Sequence, residues 1–506
     1  MSRLGGSGPT PAQPRALRHG SRDAAPPPEP VEHYVDSAGG YQLLLRVAMS
    51  RQPDVLGRLT STFGAHGGSI VNLDIVDVSV TAITRLIRVL CPSQDAARLI
   101  ATAVAAMPGV ELQMASDRTF QLHRRGKIEV QSRLPIRNAA DLAQVHHPGS
   151  EAVARKIAEH PEVGWRVTSR SNTVAVVTDG SAVLGLGDVG PAAAMPVMEG
   201  KAMLFKAFAD IDAWPICLDA REPDEIVRIV TALAPSFGAI LLEDISSPRC
   251  FEVEERLEEA LDIPVFHDDQ HGTAVVVGAA MLNALRVVGK RPEDVRLVVL
   301  GLGAAGMACT QGLMRLGIQD VIGFDREGAI HQAMEGLNRN KQWFADHTNQ
   351  GQFTGSLEEA LRGADIFLGL SGPGLLKPEW VAQMAPDPIV FALANPEPEV
   401  LPSEIEGLAR VVATGRSDFP NQVNNILCFP GLFRGALDAR ATRITPEMKA
   451  AATRAIADSI PADLLSEEYI LPSTFNPAVA TAVADAVMQE AQRSGHVRPA
   501  GPRILL

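Results

Sequence analysis

Apolar residues along this chain gather in two patterns. Short continuous runs, such as those in "NTVAVVTDG" (172–180), Ala239–Leu242 and Ile263–Phe266, are bounded by polar or turn residues and read as strands buried on both faces. Between them lie stretches with helical spacing, among them Pro223–Leu233 and Thr273–Val288. The region from Tyr41 to about Asp117 differs. "YQLLLRVAM" reads as a strand, and Val55, Leu56, Leu59 and Phe63 mark a helix that Gly64, Gly67 and Gly68 end. "SIVNLDIVDV" and "TRLIRVL" alternate as strands, Ala96–Met107 is helical, and "GVELQMA" closes the set. The order βαββαβ predicts a ferredoxin-like module.

After a polar linker, His146-His147-Pro148-Gly149 reads as a turn before a helix that extends to Ala158. A glycine-rich stretch from Val183 then leads into an apolar helix with Lys201 at its expected start. "VRLVVLGLGAAGMACTQGLMRLG" reads as strand, glycine turn and helix, and "DVIGFDREG" as a strand ending at Asp325. "ADIFLGL", "PIVFALAN" and "ARVVATG" continue as strands, and a helix within 472–492 ends the series. The fold class is α/β. The expected organisation is a disordered tail over 1–36, rich in Gly, Pro, Ser and Arg, a ferredoxin-like domain over 37–118, α/β domains over 127–275 and 276–492, and a loose tail over 493–506.

Composition narrows the partners. A net charge of −13 disfavours nucleic acid and anionic membranes. The five cysteines have no CxxC or Cys/His spacing, which points to reduced thiols in the cytoplasm rather than disulfides or zinc. No signal sequence and no apolar run of membrane length is expected.

The chemistry concentrates at strand ends. Glu243-Asp244 follows one apolar run and Asp268-Asp269 the next. Ligands in open α/β sheets sit beyond the carboxyl ends of strands, so both acidic pairs reach one rim. Such a cluster calls for a cation, and a hard divalent ion such as Mg²⁺ or Mn²⁺ suits oxygen ligands. Lys201, beside an apolar patch, is a candidate proton-transfer group. Gly301, Gly303 and Gly306, between a strand and a helix and with Asp325 about 20 residues on, form a dinucleotide fingerprint, with Ala304 and Ala305 inside it. Asp325 argues for NAD, while Arg326 beside it could meet the 2′-phosphate of NADP. Asn395, and Asn425 in "NQVNNILCFPG", carry amides suited to a carboxylate, though asparagine is also a common turn residue.

The segments "NTVAVVTDG", "PVMEGKA", "LEDIS", "HDDQHGTA", "GLGAAG", "ALANP" and "NQVNNILCFPG" together resemble the malic enzyme family over about Lys127–Gln492. The N-terminal module resembles an ACT domain, as in a bacterial subgroup of that family. The resemblance implies oxidative decarboxylation of malate to pyruvate and CO₂ with NAD or NADP. It implies Glu243, Asp244 and Asp269 as metal ligands, Lys201 and Asp268 as the proton-transfer pair, and Asn395 and Asn425 as malate contacts. It implies an amino-acid effector at the ACT domain and a homodimer or higher oligomer. One departure stands out: His146 and His147 occupy the places of the family's tyrosine and threonine. Histidine donates protons near neutral pH, so His146, with Lys201 beside it, is the expected C3 acid. The alternative is an impaired or altered-substrate relative that senses ligands or acts on another 2-hydroxy acid.

Overall fold

A computed structural model describes residues 41–499, which cluster as two units, the chain dividing between Leu122 and His123. The tail expected over 1–36 and residues 500–506 lie outside the described residues.

The first unit contains β1 (Tyr41–Ser50), β2 (Ser69–Val78), β3 (Ala82–Cys91) and β4 (Val110–Asp117), with helices Pro53–Ala65 and Gln94–Ala105 between them. The sheet is antiparallel in the order β2-β3-β1-β4, the ferredoxin-like arrangement that the βαββαβ pattern predicts. Leu43, Leu45, Val47 and Met49 of β1 alternate inward against Val55, Leu59 and Phe63 of the first helix.

The second unit holds two sheets. The first is fully parallel in the order β6-β5-β7-β8: β5 (Thr173–Thr178), β6 (Asp212–Cys217), β7 (Ala239–Leu242) and β8 (Val265–His267). The second comprises β9 (Arg296–Leu300), β10 (Asp320–Asp325), β11 (Gly328–Ala329), β12 (Ile366–Gly369), β13 (Ile389–Ala392) and β14 (Val411–Thr414). Its order is β11-β10-β9-β12-β13-β14, parallel except for β11, so strand order reverses between β9 and β12. That reversal is where a doubly wound sheet opens a crevice for a dinucleotide. One apolar cluster includes Val174 and Leu241 of the first sheet and Val299 and Phe391 of the second, so the sheets share a core.

Several expectations change. Lys201 lies in the middle of its helix, which runs Pro191–Ala209. Pro191 supplies the pre-set φ of a first helical position, so the helix begins ahead of Gly200 and passes through it. The tail from Arg493 is pinned as far as it is described: Thr442 N–H donates to His496 O at 2.9 Å and Arg498 N–H to Arg440 O at 3.0 Å. The Arg498 guanidinium also stacks 4.3 Å over Trp165. The expected division at 275/276 falls inside the helix Thr273–Val288. Asp268–Val288 is, among the described residues, a stretch long and apolar enough to cross a membrane, but most of it is buried in the protein core.

Candidate active site

β7 and β8 lie side by side, Leu242 paired with His267, so the residues after each strand emerge together. Glu243 and Asp244 leave β7. Asp268 and Asp269 leave β8 in one turn of π-helix, Asp268–Gly272, the wider turn often found at functional sites. Asp244 has φ 54°, in the left-handed region. Aspartate tolerates that conformation better than most residues, at a cost of about 1–2 kcal/mol. Its backbone N–H donates to Asp269 Oδ2 at 2.9 Å, which ties the two acidic segments together.

One carboxylate oxygen from each of Glu243, Asp244 and Asp269 falls in a group whose members all lie within 4.8 Å of one another. Burial pushes the Glu243 carboxyl well above its ordinary range, and burial together with Asp269 pushes Asp244 up to about 7. Asp269 is raised as well, mainly by burial. Glu243 Oε2, Asp244 Oδ2 and Asp268 Oδ1 are buried with no hydrogen-bond partner. Buried oxygens left orphaned among like charges fit a hard divalent cation, as all three donors are oxygen.

Lys201 comes from the opposite wall. Met198, Ala202 and Phe205 of its helix are buried, and Lys201 follows Met198 by three positions and precedes Phe205 by four, on the same face. Its Nζ lies 2.7 Å from Asp268 Oδ2 and 3.0 Å from Glu243 Oε1. Burial opposes the charged form, but Asp268 and Glu243 outweigh it and hold the ammonium above its ordinary pKa. The Phe429 ring, 4.6 Å from Nζ, closes one side. Asn425 Nδ2 donates to Asp268 Oδ2 at 3.1 Å, and Thr273 Oγ1 donates to Asn425 Oδ1 at 3.3 Å. Asn395 follows β13, and its side chain abuts Gly415, where a Cβ would lie 2.5 Å from Asn395 Nδ2.

One supporting residue, Glu254, carried no sequence signal. Buried Glu254 accepts from His267 N–H at 2.9 Å and Gln270 Nε2 at 2.9 Å, and lies 3.1 Å from His271 Nε2. Burial would raise its pKa, but His271 and Lys449 overcome that and draw it down to about 2. A single carboxylate therefore fixes the turn that carries Asp268 and Asp269. Gly272 is required there as well, because a Cβ would overlap Asp268 Oδ1.

The dinucleotide turn joins β9 to the helix Ala304–Arg315, with Gly303 as its N-cap and Ala304 and Ala305 in its first turn. Gly301 has φ +99°, and a Cβ there would lie 2.5 Å from Leu370 O. A Cβ on Gly306 would overlap Gly301 O. Space around Gly303 is open, as close approach of a pyrophosphate to the helix N-terminus requires. Asp325 ends β10, accepts from Glu327 N–H at 2.8 Å and pairs with Lys341. Arg326 beside it is exposed.

His146 stands apart. It follows the helix Ala139–Val145, is exposed, and its ring makes no hydrogen bond or ion pair among the described residues. It makes no hydrogen bond to Lys201, whose Nζ faces Asp268 and Glu243. Neither this helix nor the next, Gly149–Glu159, has a buried residue, so no core contact draws the segment inward.

Two family models match the chain. The family model described as malic enzyme, N-terminal domain, matches residues 127–258, and that described as malic enzyme, NAD binding domain, matches 270–492. An NAD-dependent malic enzyme of Geobacillus stearothermophilus is 51% identical over 462 residues, 91% of this chain and 97% of the relative. That alignment is too long to fit within 127–492, so it extends beyond both matched domains. A bifunctional malic/malolactic enzyme of Bacillus subtilis is 49% identical over 76% of this chain and 94% of its own length. The crystal structure of an NAD-dependent malic enzyme from Thermotoga maritima superposes with a TM-score of 0.71 at 49% identity, covering 73% of this chain and 98% of that one.

Proposed function

The chain belongs to the malic enzyme family, and from that premise we propose how its own residues carry out oxidative decarboxylation of malate to pyruvate and CO₂ with reduction of NAD(P)⁺. The observation that carries the reading is Lys201 Nζ between Asp268 and Glu243, with Asn425 on the same Asp268 carboxylate.

Glu243, Asp244 and Asp269 would hold Mg²⁺ or Mn²⁺, which supplies Lewis-acid stabilisation of negative charge on malate oxygens. Gly301, Gly303, Ala304, Ala305, Gly306, Asp325 and Arg326 would hold NAD(P), the acceptor of the hydride from C2. Asp325 suits the ribose hydroxyls and repels a 2′-phosphate, so NAD⁺ is the preferred form. Asn395 and Asn425 orient the malate carboxylates, and Asn425 also keeps Asp268 aimed at Lys201.

Lys201 first gives its proton to Asp268 and then takes the proton of the C2 hydroxyl. After CO₂ leaves, Lys201 returns that proton to C3. The balance closes: the C2 hydrogen leaves as hydride, the hydroxyl proton ends on C3, Asp268 hands its proton back to Lys201, and no net proton is released. His146 is exposed and unpartnered, so this scheme gives it no step. That favours Lys201 as the C3 donor in place of the histidine expected from the sequence. A second reading rests on the same observation: without a dedicated acid, C3 protonation is slow, and the protein works as an impaired relative. The test is absorbance of reduced nicotinamide with malate, Mn²⁺ and each cofactor, alongside oxaloacetate reduction. Turnover of oxaloacetate without pyruvate formation favours the second reading. Failure with malate and other 2-hydroxy acids in both cofactors sinks the first.

We further propose that residues 37–118 form an ACT-type regulatory domain for an amino acid and that the enzyme is a homodimer or larger. Its ferredoxin-like sheet supports the first, and exposed Ile75 and Val78 on β2 support the second. An amino-acid panel read by thermal shift, together with light scattering, tests both.

A further inference from the structure

Next to the acidic turn lies a pocket of about 140 Å³, lined by His271 and not by Lys201. Its walls come from the helix Thr273–Val288, the dinucleotide helix Ala304–Arg315 and the helix Pro446–Asp458. Val275 and Leu316 give it an apolar floor, and Gln311 a polar edge. Its charge is one-sided. Lys449, Arg315 and Arg454 all line it, and none of their charged groups makes an ion pair or hydrogen bond among the described residues. Lys449 has the Phe266 ring face 5.8 Å away. Acids act on these cations only from a distance: Glu447 on Arg315, Glu490 on Arg454, Glu254 and Glu258 on Lys449. Of these, Glu254 is engaged by the acidic turn, and Glu490 is paired with Arg493.

Unbalanced cations around a concavity raise the local concentration of anions, even where the net charge is −13. Guanidinium groups at the mouth suit carboxylate or phosphate oxygens. The volume is below the roughly 300–1,000 Å³ of sites for larger ligands, so a nucleotide is too big. We propose that this pocket binds a small dianion, carboxylate or phosphate groups on at most a short apolar skeleton, at a site separate from the catalytic cleft. Its position gives occupancy a consequence. One wall begins at the Asp268-Asp269 turn and another at the glycine turn. His271 also lines the pocket and contacts Glu254, which holds the acidic turn.

The test uses the full chain and two probes, succinate and inorganic phosphate, each titrated by calorimetry into wild type and into an Arg315→Gln/Arg454→Gln double variant. Both arginines are exposed and outside the catalytic machinery, so melting temperature and malate KM should stay near wild type. At least one probe should bind wild type, and the double variant should weaken it about tenfold or more, as expected for loss of two charged contacts. Which probe binds separates a carboxylate ligand from a phosphate. Succinate also resembles malate, so succinate binding that survives in the double variant belongs to the catalytic cleft and counts against the pocket. Should the double variant fail to fold, Gln311→Glu carries the same test by adding negative charge. Binding of neither probe at millimolar concentration, or equal binding by wild type and variants, overturns the proposal.

Discussion

Asn425 donates to the Asp268 carboxylate across 3.1 Å, although 157 positions separate them in the chain. The contact joins the turn after β8 to the segment after β14 and sets one edge of the space in which Lys201 meets Asp268. Asn425→Ala should raise malate KM and lower kcat together, by about tenfold in kcat/KM, because it removes one hydrogen bond to a charged group. Steady-state kinetics with saturating cofactor and Mn²⁺ measure it.

Lys201 and His146 make opposite predictions. Lys201→Ala should lower kcat with malate by about 10²–10⁴, the range for loss of a positioned proton-transfer group. His146→Ala should keep malate turnover within about threefold, because an exposed side chain without partners contributes little. A collapse of pyruvate formation in His146→Ala would restore the histidine as C3 acid and remove that role from Lys201.

The acidic rim makes the metal-free protein sensitive to pH. Asp244 titrates near 7 when folded against an ordinary 3.8, so between those values the folded state holds more protons than the unfolded one. Stability therefore falls as pH rises through that window. With EDTA present, Tm should drop on the order of 5 °C from pH 5 to pH 8, and Mn²⁺ should largely abolish the drop. Asp244→Asn should flatten the metal-free profile and remove the Mn²⁺ effect. Thermal melts across pH measure all three.

Gly303 and Gly306 should separate folding from cofactor binding. A Cβ on Gly306 overlaps the Gly301 carbonyl, so Gly306→Ala should cost about 1–3 kcal/mol of stability. A Cβ on Gly303 meets nothing, so Gly303→Ala should melt like wild type while binding NAD(P) about tenfold more weakly. Melting curves and cofactor titrations distinguish the two.

Asp325 and Lys341 should set cofactor choice. Asp325→Ser removes the carboxylate that repels a 2′-phosphate and frees Lys341 to meet one. The ratio of kcat/KM for NADP⁺ over NAD⁺ should rise about tenfold or more. An unchanged ratio would place selectivity elsewhere.

The amino-acid sequence by itself determined the strands, the glycine turn, the acidic pairs after β7 and β8 and the ferredoxin-like order of the first unit. Each is local: an apolar run too short for a helix, a spacing, or a residue type at a strand end. Tertiary structure alone decided which side chains meet. Lys201 faces both Asp268 and Glu243 because its helix begins at Pro191 and turns that residue's face inward. Lys341 reaches Asp325 and Glu254 fixes the acidic turn through packing between separate elements, while His146 stays in solvent because neither helix flanking it has a buried residue. Periodicity records which face of an element is buried. It does not record which neighbour covers that face.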